Sequence, residues 1–205
     1  MVNRAGHWNK IYAKRQPGEV SWFQPHLEKS LSLINAARLP SDARIIDVGG
    51  GASTLASDLL SLGFSDITVL DVSSEGLCRA KSEMGEEAGR VKWIEDDVLL
   101  AELPLDHYGL WHDRAVFHFL MAEEEQAAYM KKMAGSLKSG GIFIIGGFAL
   151  DGPSQCSGLP AARHCGASIG RLLGASFATL QEAFETHCTP SGSQQRFFFC
   201  SFRKK

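Results

Sequence analysis

Residues 45–55, IIDVGGGASTL, pass from a β-branched run through three glycines into a segment of helical period. A chain turns that sharply only where side chains are absent, so this backbone must approach a ligand or a neighbouring segment closely. The helix that follows aims its free N–H groups at the same place. Strand, glycine turn and helix make the opening unit of an α/β fold with a parallel sheet.

The rest of the chain repeats that alternation. Residues 44–48 read as a buried strand. Residues 54–62 carry Leu55, Leu59 and Leu62 at helical spacing, with Gly63 as the stop. Residues 66–71 (DITVLD) form a second strand, and Ser73 or Ser74 caps a helix reaching Met84. Residues 91–95 and 108–112 are strands three and four. Residues 121–138 predict a helix with Glu123, Glu124 and Glu125 at its start and Lys131, Lys132 and Lys138 toward its end, an order that complements the helix dipole. Gly140 and Gly141 stop it, and residues 142–148 (IFIIGGF) are apolar on both faces, as a central parallel strand requires. After a helix near residues 168–173, two strand-like runs, 177–185 and 195–202, are joined by a linker too short for a crossover helix. They are therefore expected to pair antiparallel.

Bulk properties exclude several classes. The net charge of −2 offers no general basic field to nucleic acid or an anionic membrane. No apolar run reaches the roughly 18 residues of a membrane span, and the N-terminus lacks the apolar core of a secretory signal. Five widely spaced cysteines without a C-x-x-C read as reduced thiols, so a cytoplasmic setting and no metal site are expected.

The turn does not suit a dinucleotide. Its glycines Gly49, Gly50 and Gly51 are followed by Ser53 and Thr54, where G-x-G-x-x-G would place its third glycine. Asp47, just ahead of the turn, repels pyrophosphate but suits an ammonium group. Asp71 closes the next strand and can accept two ribose hydroxyls. Asp97 follows strand three and suits an adenine amino group. The implied ligand carries an amine, a ribose and an adenine, with no demand for phosphate.

DVGGGAST, LDVS and EDDV, in that order, resemble the motifs of class I S-adenosylmethionine-dependent methyltransferases. The resemblance covers residues 44–148 and implies a Rossmann-like seven-stranded sheet, order 3-2-1-4-5-7-6, with strand 7 antiparallel and helices on both faces. It implies that S-adenosylmethionine is the cofactor and S-adenosylhomocysteine the product. It places Asp47 at the methionine amine, Gly49 and Gly51 along the methionine moiety, Asp71 on the ribose, Val72 under adenine, and Asp97 with the Val98 amide on the adenine edge. His112 and Arg114 fall where the family contacts the methionine end. Trp8, Tyr12 and Trp22 resemble an aromatic segment that folds over the cofactor in a subset including thiopurine, tellurite and protein-lysine methyltransferases. Residues 1–40 then form a helical lid and residues 41–205 the methyltransferase domain.

Aromatic faces attract a sulfonium and exclude water, although the same residues would also serve simply to pack the extension. Asp113 is the candidate for orienting or deprotonating an acceptor, with a helix cap or a partner for Arg114 as the alternative. His118 reads as a packed histidine. The long segment after strand five is expected to wall the acceptor pocket, with Asp151, Arg163 and His164 as polar candidates. The acceptor is expected to be a small molecule, with a protein lysine as the alternative and nucleic acid disfavoured. A nicotinamide oxidoreductase is a remote alternative.

Overall fold

The computed structural model describes residues 3–205, apart from the side chain of Pro17. Residues 1 and 2 of the expected lid lie outside it. The strands are β1 (Arg44–Val48), β2 (Asp66–Asp71), β3 (Val91–Glu95), β4 (Tyr108–Arg114), β5 (Leu137–Phe148), the short pair β6 (Gln155–Cys156) and β7 (Leu159–Pro160), β8 (Phe177–Cys188) and β9 (Gln194–Lys204). The helices are α1 (Arg4–Lys14), α2 (Glu28–Ala36), α3 (Leu55–Ser61), α4 (Ser74–Met84), α5 (Glu123–Ser136) and α6 (Gly166–Leu173). Among the described residues no helix is long and apolar enough to cross a membrane.

Seven strands form one sheet in the order β3-β2-β1-β4-β5-β9-β8. The first five are parallel to one another, and β9 enters antiparallel between β5 and β8. This is the expected order, with the last strand inserted between the fifth and sixth long strands. The hairpin joining β8 to β9 is tight, as its short linker demands.

Side chains alternate across each strand, and this divides the core in two. Ile45, Ile67, Leu110 and Ile144 pack on the face covered by α2 and α3. Ile46, Leu70, Trp111, Phe143 and Ile145 pack on the opposite face with Tyr129, Met130 and Met133 of α5 and Ile169 of α6. The same alternation sends Asp47, Asp71, His112 and Arg114 toward the first face, and Asp113 toward the second.

The junction of α5 with β5 differs from expectation, and β4, β8 and β9 run two to three residues longer. α5 ends at Ser136, and Lys138 lies in β5, so no basic residue occupies its last turn. Its carboxylates complement the dipole at one end alone. Lys132 instead donates to the Ala101 carbonyl at 2.5 Å. β5 also begins earlier than expected, because Gly140 (φ +75°) and Gly141 sit within its first residues instead of terminating the helix.

Candidate active site

Gly49 and Gly51 hold φ of +73° and +44°, the left-handed region that glycine enters without strain. A Cβ on Gly49 would collide with the Val116 side chain, and one on Gly51 with the Tyr12 hydroxyl. The turn therefore serves two approaches, to the Val116 turn after β4 and to α1.

The carboxylates stand in three environments. Asp47 is 3 % exposed and accepts from His112 Nδ1 at 2.7 Å. A carboxylate only accepts, so the proton lies on Nδ1, and His112 Nε2 meets Ser30 Oγ at 2.8 Å. Both His112 nitrogens are thereby spent, and the ring orients Asp47 from behind. Asp71 accepts from the Ser73 N–H at 2.7 Å. Burial pushes its pKa up to about 7; the Ser73 N–H opposes this, Asp47 adds to it, and the Gly51 and Val72 N–H groups also oppose it. Asp97 accepts from the Leu99 N–H at 2.9 Å through Oδ1 and from Arg4 Nη1 at 3.1 Å through Oδ2.

Arg4 begins a set of ties that hold α1 down. Its Nη2 reaches Glu125 at 2.5 Å. Asn9 Oδ1 accepts from Ser73 Oγ at 2.7 Å, and Arg79 donates to the carbonyls of Tyr12 (2.7 Å) and Arg15 (2.6 Å) at the other end of the helix. Trp8 packs edge-on against Trp22 (5.6 Å between centroids) and Phe119 (5.1 Å). Burial, reinforced by Asp71, raises the Tyr12 pKa well above its usual value and keeps the phenol neutral.

Between α1 and the sheet runs a cleft of about 880 Å³, including its mouth. One end is lined by Asp71, Val72, Asp97 and Val98, and the middle by Trp8, Tyr12, Trp22 and Gly49. The far end is lined by Arg114, His118, Cys156, Gln195 and Phe197. An adjoining recess holds Asp47, Gly50, Ser53 and His112, and Arg114 borders both.

Asp113 does not line the cleft. Its carboxylate accepts from Tyr129 Oη (2.5 Å), Val116 N (2.8 Å) and Phe117 N (3.1 Å), and Trp111 Nε1 donates to the same tyrosine at 2.9 Å. Strand alternation turns it onto the α5 face, so, against the catalytic expectation, it braces the turn after β4 through two backbone N–H groups and does not reach the cleft. The segment after β5 is corrected likewise. Asp151 and Arg163 are exposed and His164 packs against Phe117, while Cys156 is the residue that reaches the cleft. His118 does more than pack. It is 1 % exposed, lines the cleft and has no hydrogen-bond partner on either nitrogen among the described residues.

Sequence reasoning missed Arg4, Ser30, Gln195 and Phe197. Only Gln195, a polar residue leading into the apolar run FFFC, carries a signal along the chain. Arg4 supplies a test of the closed arrangement. Both its carboxylate partners are partly exposed, so Arg4→Ala is expected to cost about 0.5–1 kcal/mol. The release rate of S-adenosylhomocysteine, followed by tryptophan fluorescence, should rise several-fold; an unchanged rate would mean that α1 does not gate the cleft.

Residues 45–141 match a family model described as a methyltransferase domain. The human EEF1A lysine methyltransferase 2 is 24 % identical over 153 residues, covering 68 % of this chain and 65 % of that protein. A Drosophila melanogaster eEF1A lysine and N-terminal methyltransferase homolog is 24 % identical over 144 residues, covering 67 % of this chain. The chain spans only 21 % of that relative. Among solved structures, a Burkholderia thailandensis 1,6-didemethyltoxoflavin-N1-methyltransferase with bound 1,6-didemethyltoxoflavin and S-adenosylhomocysteine superposes with a TM-score of 0.70. The match has 17 % identity and covers 100 % of this chain and 85 % of the other.

Proposed function

We propose that this chain, whose residues 45–141 match a methyltransferase domain, is a class I S-adenosylmethionine-dependent methyltransferase that transfers a methyl group to a small-molecule acceptor held in the far end of the cleft. When bound, the cofactor supplies an electrophilic methyl on a sulfonium: an acceptor lone pair forms the new bond as the carbon–sulfur bond breaks, leaving the neutral thioether of S-adenosylhomocysteine.

The described residues fit that cofactor. The Gly49–Gly51 turn, lining the cleft at Gly49 and the recess at Gly49 and Gly50, brings backbone to the place of the methionine moiety. Asp71 suits the ribose, Asp97 with the Val98 amide suits the adenine edge, and Val72 suits its face. Asp47, held by His112, suits the amine. Trp8, Tyr12 and Trp22 of the lid keep water from the transfer. Arg114, expected at the methionine end, borders that recess.

The observation that carries the small-molecule reading is the lining of the far end. His118 and Phe197 are each 1 % exposed, and neither carboxylate near Arg114, Asp47 or Glu185, lines the cleft with it. A lysine side chain entering that end would meet a guanidinium and no acid. The lysine reading rests on relatives at 24 % identity that are lysine methyltransferases, and it requires a different approach to the cleft.

His118 suits hydrogen bonding to the acceptor and not proton removal. Burial, then the charge of Arg114 and the His164 ring, lower its pKa to about 3, so it stays a neutral imidazole with one donor and one acceptor nitrogen. The reading is tested by incubating the full chain with radiolabelled S-adenosylmethionine and two fractions of cell extract. Label is expected in the small-molecule fraction; label confined to a protein band would establish the lysine alternative.

A further inference from the structure

We propose that the acceptor is a small organic acid whose carboxylate, or an equivalent oxyanion, seats on Arg114 while its polar group faces His118. This deepens the methyl-transfer reading and rests on it.

Arg114 ends β4, and its Nη1 donates to the Trp22 carbonyl at 3.1 Å. Its guanidinium carbon lies 5.1 Å from the centre of the Phe197 ring. These contacts fix the plane of the group. Nε and Nη2 are shielded from solvent and have no hydrogen-bond partner among the described residues. Those two nitrogens form one edge of the guanidinium, the edge that meets a carboxylate through two parallel hydrogen bonds. A shielded cation without a partner is costly, and burial lowers the Arg114 pKa to about 10.

The carboxylates near Arg114 are engaged elsewhere. Asp47 accepts from His112 at 2.7 Å, and Glu185 accepts from Gln24 at 3.3 Å. Both act on Arg114 through their charge, and neither forms an ion pair with it among the described residues. The open edge is thus left for a ligand.

Further unpartnered groups converge on the same end. Both His118 nitrogens and Gln195 Oε1 are buried without partners, and both residues line the cleft beside Arg114. A ligand that satisfies the set brings an oxyanion to the guanidinium and a hydrogen-bonding group to the imidazole. The remaining lining, including Phe197, Phe119 and Trp22, is flat and apolar, which favours an aromatic or otherwise apolar body between the two polar groups. The cofactor's own carboxylate has the same chemistry and is the competing source.

The test uses the full chain saturated with S-adenosylhomocysteine, with benzoate and phenylacetate as probes against benzamide and phenylacetamide. In calorimetry, at least one acid is expected to bind about tenfold or more tightly than its amide. Arg114→Met should bring that ratio near one while changing the dissociation constant of S-adenosylhomocysteine by less than about threefold. Equal binding of acid and amide to the wild-type chain overturns the proposal, and this arm stands even if the variant fails to fold. A loss of about tenfold or more in S-adenosylhomocysteine affinity in Arg114→Met also overturns it, by giving the guanidinium to the cofactor. Failure of the wild-type chain to bind S-adenosylhomocysteine at all would instead overturn the methyl-transfer reading.

Discussion

Asp113→Ala is expected to lower folding stability by about 3–5 kcal/mol, because it strips the acceptor from two buried donors and a half-buried one at once. The Tyr129 hydroxyl and the N–H groups of Val116 and Phe117 all end on this carboxylate. Asp113 and Tyr129 are each 0 % exposed, so water cannot replace the lost partner without opening the core. The carboxylate also fixes the turn that carries Val116 under Gly49 and His118 into the cleft, so the damage should extend from β4 to the glycine turn. Asp113→Asn should cost less, since an amide oxygen in the place of Oδ2 keeps the bonds from Phe117 N and Tyr129 Oη and leaves only the Val116 N–H facing the NH₂. Denaturant unfolding of both variants, with S-adenosylhomocysteine affinity measured on the folded fraction, checks this. A variant of wild-type stability with lost turnover would return Asp113 to the chemistry.

The same pair of neighbours explains what the chain made legible and what it did not. The alternation of apolar runs and helical periods specifies the sheet, and the short linker before β9 leaves only an antiparallel hairpin. The acids at strand ends locate the cofactor end because each follows a strand whose direction is known. His112 and Asp113 are adjacent, and period-two alternation says only that they face opposite ways. Which one faces the cleft depends on Tyr129, 16 residues further along α5, and on Ser30, 82 residues back on α2. No local pattern encodes either partner. The far end of the cleft is harder still. Arg114, His118 and Gln195 come from three different segments, and what marks them is buried polar atoms without partners, which appear only once the chain is folded.

Asp71→Ala is expected to weaken S-adenosylhomocysteine binding by about 1–3 kcal/mol, roughly fivefold to over a hundredfold, through loss of charge-assisted hydrogen bonds to the ribose. The wild-type affinity should also depend on pH, with a sign set by the state of this carboxylate. Ribose hydroxyls donate to the ionised form, whereas burial, with Asp47 close by, holds Asp71 up to about 7 in the free protein. Below that pH a proton must leave before the ribose can be held, so affinity should fall by up to about tenfold per unit as pH drops beneath 7 and level off above it. Tyr12, the other titratable group over the Gly51 turn, is kept neutral throughout this range by burial and adds no step. Asp71→Asn keeps the shape and removes the titration, so its weaker affinity should be flat where the wild-type curve bends. Calorimetry from pH 5.5 to 8.5 on both proteins decides the matter. Parallel curves would place the titrating group elsewhere, and an unchanged dissociation constant in Asp71→Ala would remove the ribose from this carboxylate altogether.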